Sequence, residues 1–279
     1  MPLLDSTGDV SRLIEFLGRE PVLNSVPLGL FTEAGDPASR AGWFVATIER
    51  GGRVVAACYR TGFPKMGLAM PGDDEAMREL ARLVQRAMPD LPCIIGASGQ
   101  VADFVAEWAR LTGNRGTPGM PERLHRLVAV RPQPEVSGSM RRATVADRGL
   151  LVEWMRAFAI EAEVAQARDS TWSDEATDIH LARGSLFLWE DDGPASMAGG
   201  RETGGAVARI GPVYTPPSRR RRGYAGALVA GVSQLLLDAG SQACCLYTDT
   251  RNATSNHVYA EVGYEPVVDV NEVWLTAPG

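Results

Sequence analysis

The stretch RIGPVYTPPSRRRRGYAGALVAGVSQLLLDAG, Arg209 to Gly240, decides the fold. Residues Arg209 to Thr215 have the alternating, β-branched and aromatic character of a strand. Pro216, Pro217 and Ser218 break it. From Ala225 onward apolar side chains return at helical spacing, at Leu228, Val232, Leu235 and Leu236, and Gly240 stands where a helix ends. A strand, a glycine-containing turn and a helix N-terminus gather unpaired backbone N–H groups at one point. The positive end of the helix dipole adds to their pull on an anion. Gly223 lets the backbone approach a bulky pyrophosphate with no Cβ in the way. Arg219 to Arg222 add charge, and guanidinium forks suit phosphate oxygens.

The loop is neither a G-x-x-x-x-G-K-[ST] phosphate loop nor a G-x-G-x-x-G dinucleotide loop. The spacing Arg220-x-x-Gly223-x-Ala225, preceded by Val213, Tyr214, Thr215 and Pro217, resembles the [Q/R]-x-x-G-x-[G/A] segment of the GNAT acetyltransferase superfamily. The following stretch agrees in order: Ala243 to Thr248 reads as a strand, and Asn252 to Val262 as a short helix closed by Gly263-Tyr264. Asn252 and Tyr259 are seven apart and share a helix face. The resemblance implies an α/β (α+β) fold with a mixed, mainly antiparallel sheet flanked by helices. It implies an acetyl-CoA pyrophosphate and pantetheine site at Val213, Tyr214, Thr215, Arg220, Arg221, Arg222, Gly223, Tyr224, Ala225 and Gly226. It also implies that Asn252 holds the cofactor arm and that Tyr259 protonates the departing thiolate. Apart from the resemblance, Tyr259 reads as a half-buried aromatic packing the sheet. Thr254 and Ser255 stand where the family usually has alanine, and Arg221 where glycine is common.

The chain has 279 residues, enough for two ordinary domains, and its 45% hydrophobic content is that of a globular protein. No apolar run is long enough for a membrane helix, and the start MPLLDSTGDVSRL lacks the basic and apolar regions of a secretory signal, so cytoplasmic residence is expected. Four cysteines with no C-x-x-C pair, and three scattered histidines, predict no metal site. Cys244-Cys245 reads as two small core residues. A net charge of −6 argues against a nucleic-acid partner. A positive spot on an acidic body fits an anionic cofactor and an amine substrate, and acidity that serves solubility fits equally.

Residues Arg131 to Ser139 are rich in Pro, Gly and Ser and read as a linker. They divide the chain into 1–132 and 140–279. The second half gives a strand at Met140 to Val145, two helices, a strand at Leu186 to Trp189, paired strands at Ala195 to Glu202 and Val207 to Tyr214, then the loop, a helix, a strand, a helix, and closing strands near Val267 and Val273-Trp274. The first half repeats this order weakly: a helix at Val10 to Phe16, strands at Gly42 to Glu49 and Arg53 to Tyr59, a helix at Asp73 to Met88, a strand at Leu91 to Gly96, a helix at Val101 to Leu111, and a strand at Leu124 to Val130. The pattern resembles the tandem type of mycothiol synthase-like bacterial acetyltransferases. The first half's counterpart of the phosphate turn is Met70-Pro-Gly-Asp73-Asp74-Glu75, whose acids complement the helix dipole and repel a pyrophosphate, so this half is expected to bind no CoA.

The expectation is an acetyl-CoA-dependent N-acetyltransferase acting on a primary amine of a small molecule by direct attack. The alternative is a non-catalytic sensor or interaction module that binds CoA or a metabolite. The strand before the loop holds no acid, so the general base is left open among Glu161, Glu163, Asp174 and Glu175, each also readable as a solvated charge. Arg209 and Trp172 are candidates for substrate contact. The acyl chain, the amine and the oligomeric state are not readable.

Overall fold

The computed structural model of the protein describes residues 7–34, 42–61, 64–163 and 171–275. The first half runs α1 (Thr7–Leu17), α2 (Ser25–Glu33), β1 (Phe44–Arg50), β2 (Arg53–Arg60), β3 (Lys65–Leu68), α3 (Asp74–Ala87), β4 (Cys93–Ala97), α4 (Ser98–Thr112) and β5 (Thr117–Leu127). The second runs β6 (Ser139–Arg142), α5 (Arg148–Glu161), α6 (Trp172–Ala182), β7 (Leu186–Glu190), β8 (Pro194–Glu202), β9 (Val207–Tyr214), α7 (Tyr224–Asp238), β10 (Ala243–Asp249), α8 (Ala253–Val262) and β11 (Glu265–Trp274).

All the strands join one sheet of order β1-β2-β3-β4-β11-β5-β10-β9-β8-β7-β6. Its centre is an exchange. β5 belongs to the first half by sequence, yet it pairs antiparallel with β10 of the second half (Cys244↔Leu127 to Asp249↔Glu122). β11, the last strand of the second half, pairs antiparallel with β4 of the first (Val270↔Ala97 to Trp274↔Cys93). The two exchanged strands pair with each other between them. Each half therefore ends its own sheet with the other half's final strand.

Strand alternation sends side chains to two helical layers. In the first half Ala46, Ile48, Ala56 and Cys58 pack under α3 and α4, while Val45, Val54 and Ala57 pack against α1 and α2. In the second half Ala198, Ala208, Ile210, Cys244 and Leu246 pack under α7 and α8, while Leu188, Met197 and Tyr214 meet α5 and α6. Cys244 and Cys245 are fully buried, as small core residues are, and burial pushes the Cys244 thiol up to about 12.

The elements differ from the sequence reading in four places. α2 was not expected, because Pro27 and Gly29 disfavour a helix; Pro27 lies in its first turn, where a missing N–H costs nothing. β3 has only four residues, too few to show a period. β5 begins at Thr117, seven residues before the expected Leu124, because Pro118, Gly119 and Pro121 read as a turn; the shifted register against β11 absorbs them. The two closing strands are one continuous β11 with two register shifts. The segment joining β5 to β6 is held rather than free. The Arg131 amide donates to the Val262 carbonyl (2.9 Å), the Trp189 indole N–H donates to the Ser137 carbonyl (2.8 Å), and the Ser137 hydroxyl donates to Asp191 (2.9 Å).

Candidate active site

β9 and β10 run parallel and pair over only three positions, Val207↔Ala243, Ala208↔Cys244 and Arg209↔Cys245. Beyond Arg209 they part, although β9 continues to Tyr214 and β10 to Asp249. On its other edge β9 changes register against β8 between Ala198 and Gly200, so that Gly211 and Pro212 together face one residue of β8. This is a bulge, which turns a strand away from its neighbour. Gly211 has φ 136°, in the region open to glycine. Val213, Tyr214 and Thr215 follow the bulge, and the Thr215 and Ser196 hydroxyls are 2.8 Å apart.

At the head of this opening stands α7. Arg221 (φ 61°) and Gly223 (φ 81°) are left-handed and fold residues 220–223 into a turn that enters the helix at Tyr224. The helix has no side-chain cap, so the first-turn amides of Tyr224, Ala225 and Gly226 lack intrahelical acceptors. The amides of Arg221, Arg222 and Gly223 have no acceptor among the described residues either. Such a nest of amides at a helix N-terminus binds anions. Tyr224 itself is fixed: its hydroxyl donates to Asp191, and this bond, with that of Ser137, holds the Asp191 carboxyl below the usual carboxylate range.

The four arginines divide by role. Arg219 donates to the carbonyls of Asp191 (3.2 Å) and Asp192 (2.9 Å) and so ties the loop to the β7–β8 turn. Arg220 donates to the Thr215 carbonyl (2.8 Å) and forks onto Glu161 (2.8 and 2.7 Å), over the Tyr214 ring. Arg221 and Arg222 are exposed and make no hydrogen bond or ion pair among the described residues. Of the three arginines expected at the cofactor, Arg221 and Arg222 have guanidinium groups free of partners among the described residues. Arg220 shapes the loop, because a carboxylate 59 positions earlier in the chain reaches it.

Asn252 caps α8: its side-chain oxygen accepts from the Ser255 amide (3.0 Å). Tyr259 lies half-buried on α8, edge-on to Tyr264 at 6.1 Å between ring centroids, and its hydroxyl has no partner among the described residues. Burial pushes its phenol up to about 12, so it stays protonated across the physiological range. α8 meets the first turn of α7 closely. A Cβ placed on Gly226 would lie 3.6 Å from Val258, the neighbour of Tyr259 in sequence.

The opening leads to the sheet face that carries α2 and α5. There a trough of about 980 Å3 lies between the halves, lined from α2 and β3 on one side and from α5, β9 and β10 on the other. The exchanged strands form its floor and bring Glu122 from β5 and Glu272 from β11. Glu272 is only 7% exposed and pairs with Lys65, the chain's single lysine. Arg251 pairs with Asp249 (2.8 Å) and Glu163 (3.7 Å). Glu122 has no hydrogen bond or ion pair among the described residues. Burial raises its pKa above the usual carboxylate value, against the opposing pull of Lys65 and Arg209. Sequence reading missed Glu122: it lies in the other half, between the expected helix ending at Leu111 and the strand expected from Leu124, and only the exchange of β5 brings it to β10.

Two of the four acids considered from sequence are held in ion pairs away from the trough. Glu161 holds Arg220, and Asp174 lies 3.2 Å from Arg148 and 3.9 Å from Arg156. Glu175 is exposed, and Glu163 lies at the trough beside Arg251. Trp172 packs into the α5–α6 core, whereas Arg209 lines the trough.

The first half has the corresponding parallel pair, β3 with β4, also over three positions (Lys65↔Cys93 to Gly67↔Ile95). Its helix mouth is capped and acidic. The Asp73 carboxylate accepts from the Ala76 amide (2.7 Å), and a Cβ on Gly72 would lie 2.4 Å from Met77 and 2.8 Å from Gln100. One first-turn amide is thus taken, and Asp73, Asp74 and Glu75 put negative charge at the helix mouth, which repels an anion.

Residues 189–275 match the family model FR47-like protein. No curated protein matches the sequence. The fold is similar to that of a GNAT-family acetyltransferase from Colwellia psychrerythraea (TM-score 0.64, 13% identity, 98% of each chain covered). It is also similar to a GCN5-related N-acetyltransferase from Sphaerobacter thermophilus (TM-score 0.57, 15% identity, 90% of this chain and 85% of that one). A tandem GNAT protein from the clavulanic acid biosynthesis pathway superposes over 99% of this chain and 97% of its own, with TM-score 0.56 and 12% identity. The chain therefore has the fold of the GNAT acetyltransferases, in its tandem form.

Proposed function

We propose that the protein transfers an acetyl group from acetyl-CoA to a primary amine of a small molecule. The observation that supports this most is the parting of β9 and β10 directly beside the uncapped mouth of α7, with the trough on the far side. In this reading residues 140–279 form the cofactor-binding unit and residues 1–132 a cofactor-free unit that supplies a wall and a strand. The amides of residues 221–226, with Arg221 and Arg222, hold the pyrophosphate, and the thioester lies in the opening past Val213. Backbone N–H groups near Val213 polarise the thioester carbonyl as charge develops on its oxygen.

Only a neutral amine attacks, and an alkyl ammonium has a pKa of about 10.4. Glu122 takes the ammonium proton; its raised pKa makes it a better base than an exposed carboxylate. The amine nitrogen then bonds to the carbonyl carbon, the carbon–sulfur bond breaks, Tyr259 gives its proton to the leaving sulfur, and the second proton that the nitrogen sheds as the amide forms restores Tyr259 through solvent. Tyr259→Phe is expected to lower kcat by about 10²-fold, the low end for a positioned proton donor. Unchanged rates across pH would make Tyr259 a packing residue.

The test of the function is CoA release from acetyl-CoA across a panel of primary amines. Turnover on any of them supports the enzyme. Saturable acetyl-CoA binding with turnover on none supports the sensor or interaction module.

A further inference from the structure

We infer that the acceptor carries a carboxylate as well as its amine, and that Arg209 reads the carboxylate. The inference rests on the acetyl-transfer reading and names the substrate class of the same site. Three cations line the trough. Lys65 is matched by Glu272, and Arg251 by Asp249 and Glu163. Arg209 is held by none of these acids: its guanidinium makes no hydrogen bond or ion pair among the described residues and lies 5.7 Å from the Tyr247 ring centroid, and the Glu122 carboxyl acts on it only at longer range. It is half-buried, so water only partly compensates its charge.

Its position gives the unmatched charge a use. Arg209 is the last β9 residue paired with β10, at the fork where the two strands part. Glu122 reaches the same floor from β5 and also lacks a hydrogen-bonding partner. One acid and one guanidinium that line the same trough without bonding to each other suit a ligand that bears both an amine and an acid. The amine meets Glu122, and the carboxylate takes two parallel N–H bonds from Arg209. A plain diamine would place its second positive charge against Arg209, and a simple alkyl amine would leave the guanidinium unpaired.

The experiment uses the full chain, saturating acetyl-CoA and matched acceptors: each amino acid against its own carboxamide, which keeps the size and removes the charge. CoA release is followed for the wild type, Arg209→Met and Arg209→Lys. Comparing the acid-to-amide ratio of kcat/KM between variants cancels the different basicity of the two amines. The wild-type ratio is expected to fall about 10–100-fold in Arg209→Met, the reach of one charge-assisted pair, with a smaller fall in Arg209→Lys. An equal ratio in all three proteins, or a wild-type preference for diamines, overturns the assignment. In parallel, the best amino acid is titrated calorimetrically into the CoA-loaded protein. Binding that Arg209→Met loses supports the assignment even where turnover is absent, a result that would count against acetyl transfer alone. Binding that Arg209→Met keeps, or no binding of any amino acid, overturns it. Acetyl-CoA titration of both variants shows that they are folded.

Discussion

Glu122→Gln should lower kcat/KM for acetyl transfer by about 10³-fold, the middle of the range for a positioned general base. The exchange is isosteric and removes only the capacity to take a proton. The pH profile carries the sign. Burial raises the Glu122 pKa, so the wild-type rate climbs with pH as this carboxyl ionises, and the variant lacks that limb. Stability moves the other way. A carboxyl whose folded pKa is raised favours the folded state below its ordinary pKa, and that contribution is lost as pH rises through the raised value. At neutral pH the glutamine variant should therefore melt no lower than the wild type. Lost activity together with a lower melting temperature would mark Glu122 as a structural residue, and retained activity would remove it from the mechanism.

Residues 140–279 expressed alone should fail to fold. Without β4 and β5, β11 loses both ladder partners and β10 keeps only its three pairs with β9, and the loss of the fully buried Leu124 and Leu127 leaves two clusters open. Removing two buried leucines costs about 4–10 kcal/mol, against a total stability of about 5–15 kcal/mol for an ordinary domain. The bare strand edges would also pair with other chains. Co-expression of 1–132 with 140–279 should restore a soluble complex. Circular dichroism and thermal melts decide the matter: a cooperative transition from 140–279 alone would contradict the strand exchange.

That exchange also marks where sequence reading stops. The loop from Arg209 to Gly240 was legible because its signals are local: a β-branched run, two prolines, one glycine and a helical period. The tandem order was legible for the same reason, even with β3 and α2 missing from it. Pairing across the chain is not local. Nothing near Pro118-Gly-Met-Pro121 says that these residues enter a sheet beside β10 and β11, and so nothing announced Glu122. The arginines show the same limit. The sequence shows four adjacent charges but not that Glu161 and three backbone carbonyls hold two of them. The first half's acids were legible in turn, because Asp73 caps its own helix three residues on.

The most direct test is calorimetric titration of acetyl-CoA into the wild type and Gly223→Asp. A Cβ at position 223 would lie 2.9 Å from Val136, on a backbone at φ 81°. The added carboxylate would face the pyrophosphate across the amide nest. Two unit charges 4 Å apart cost about 4 kcal/mol at a near-surface effective dielectric, so the affinity should fall by at least about 10²-fold. A Val136→Ala companion change relieves the contact and leaves the charge. Saturable binding to the wild type that is lost in both Gly223→Asp proteins is the predicted result. Undiminished binding to them would place the cofactor elsewhere and contradict the account.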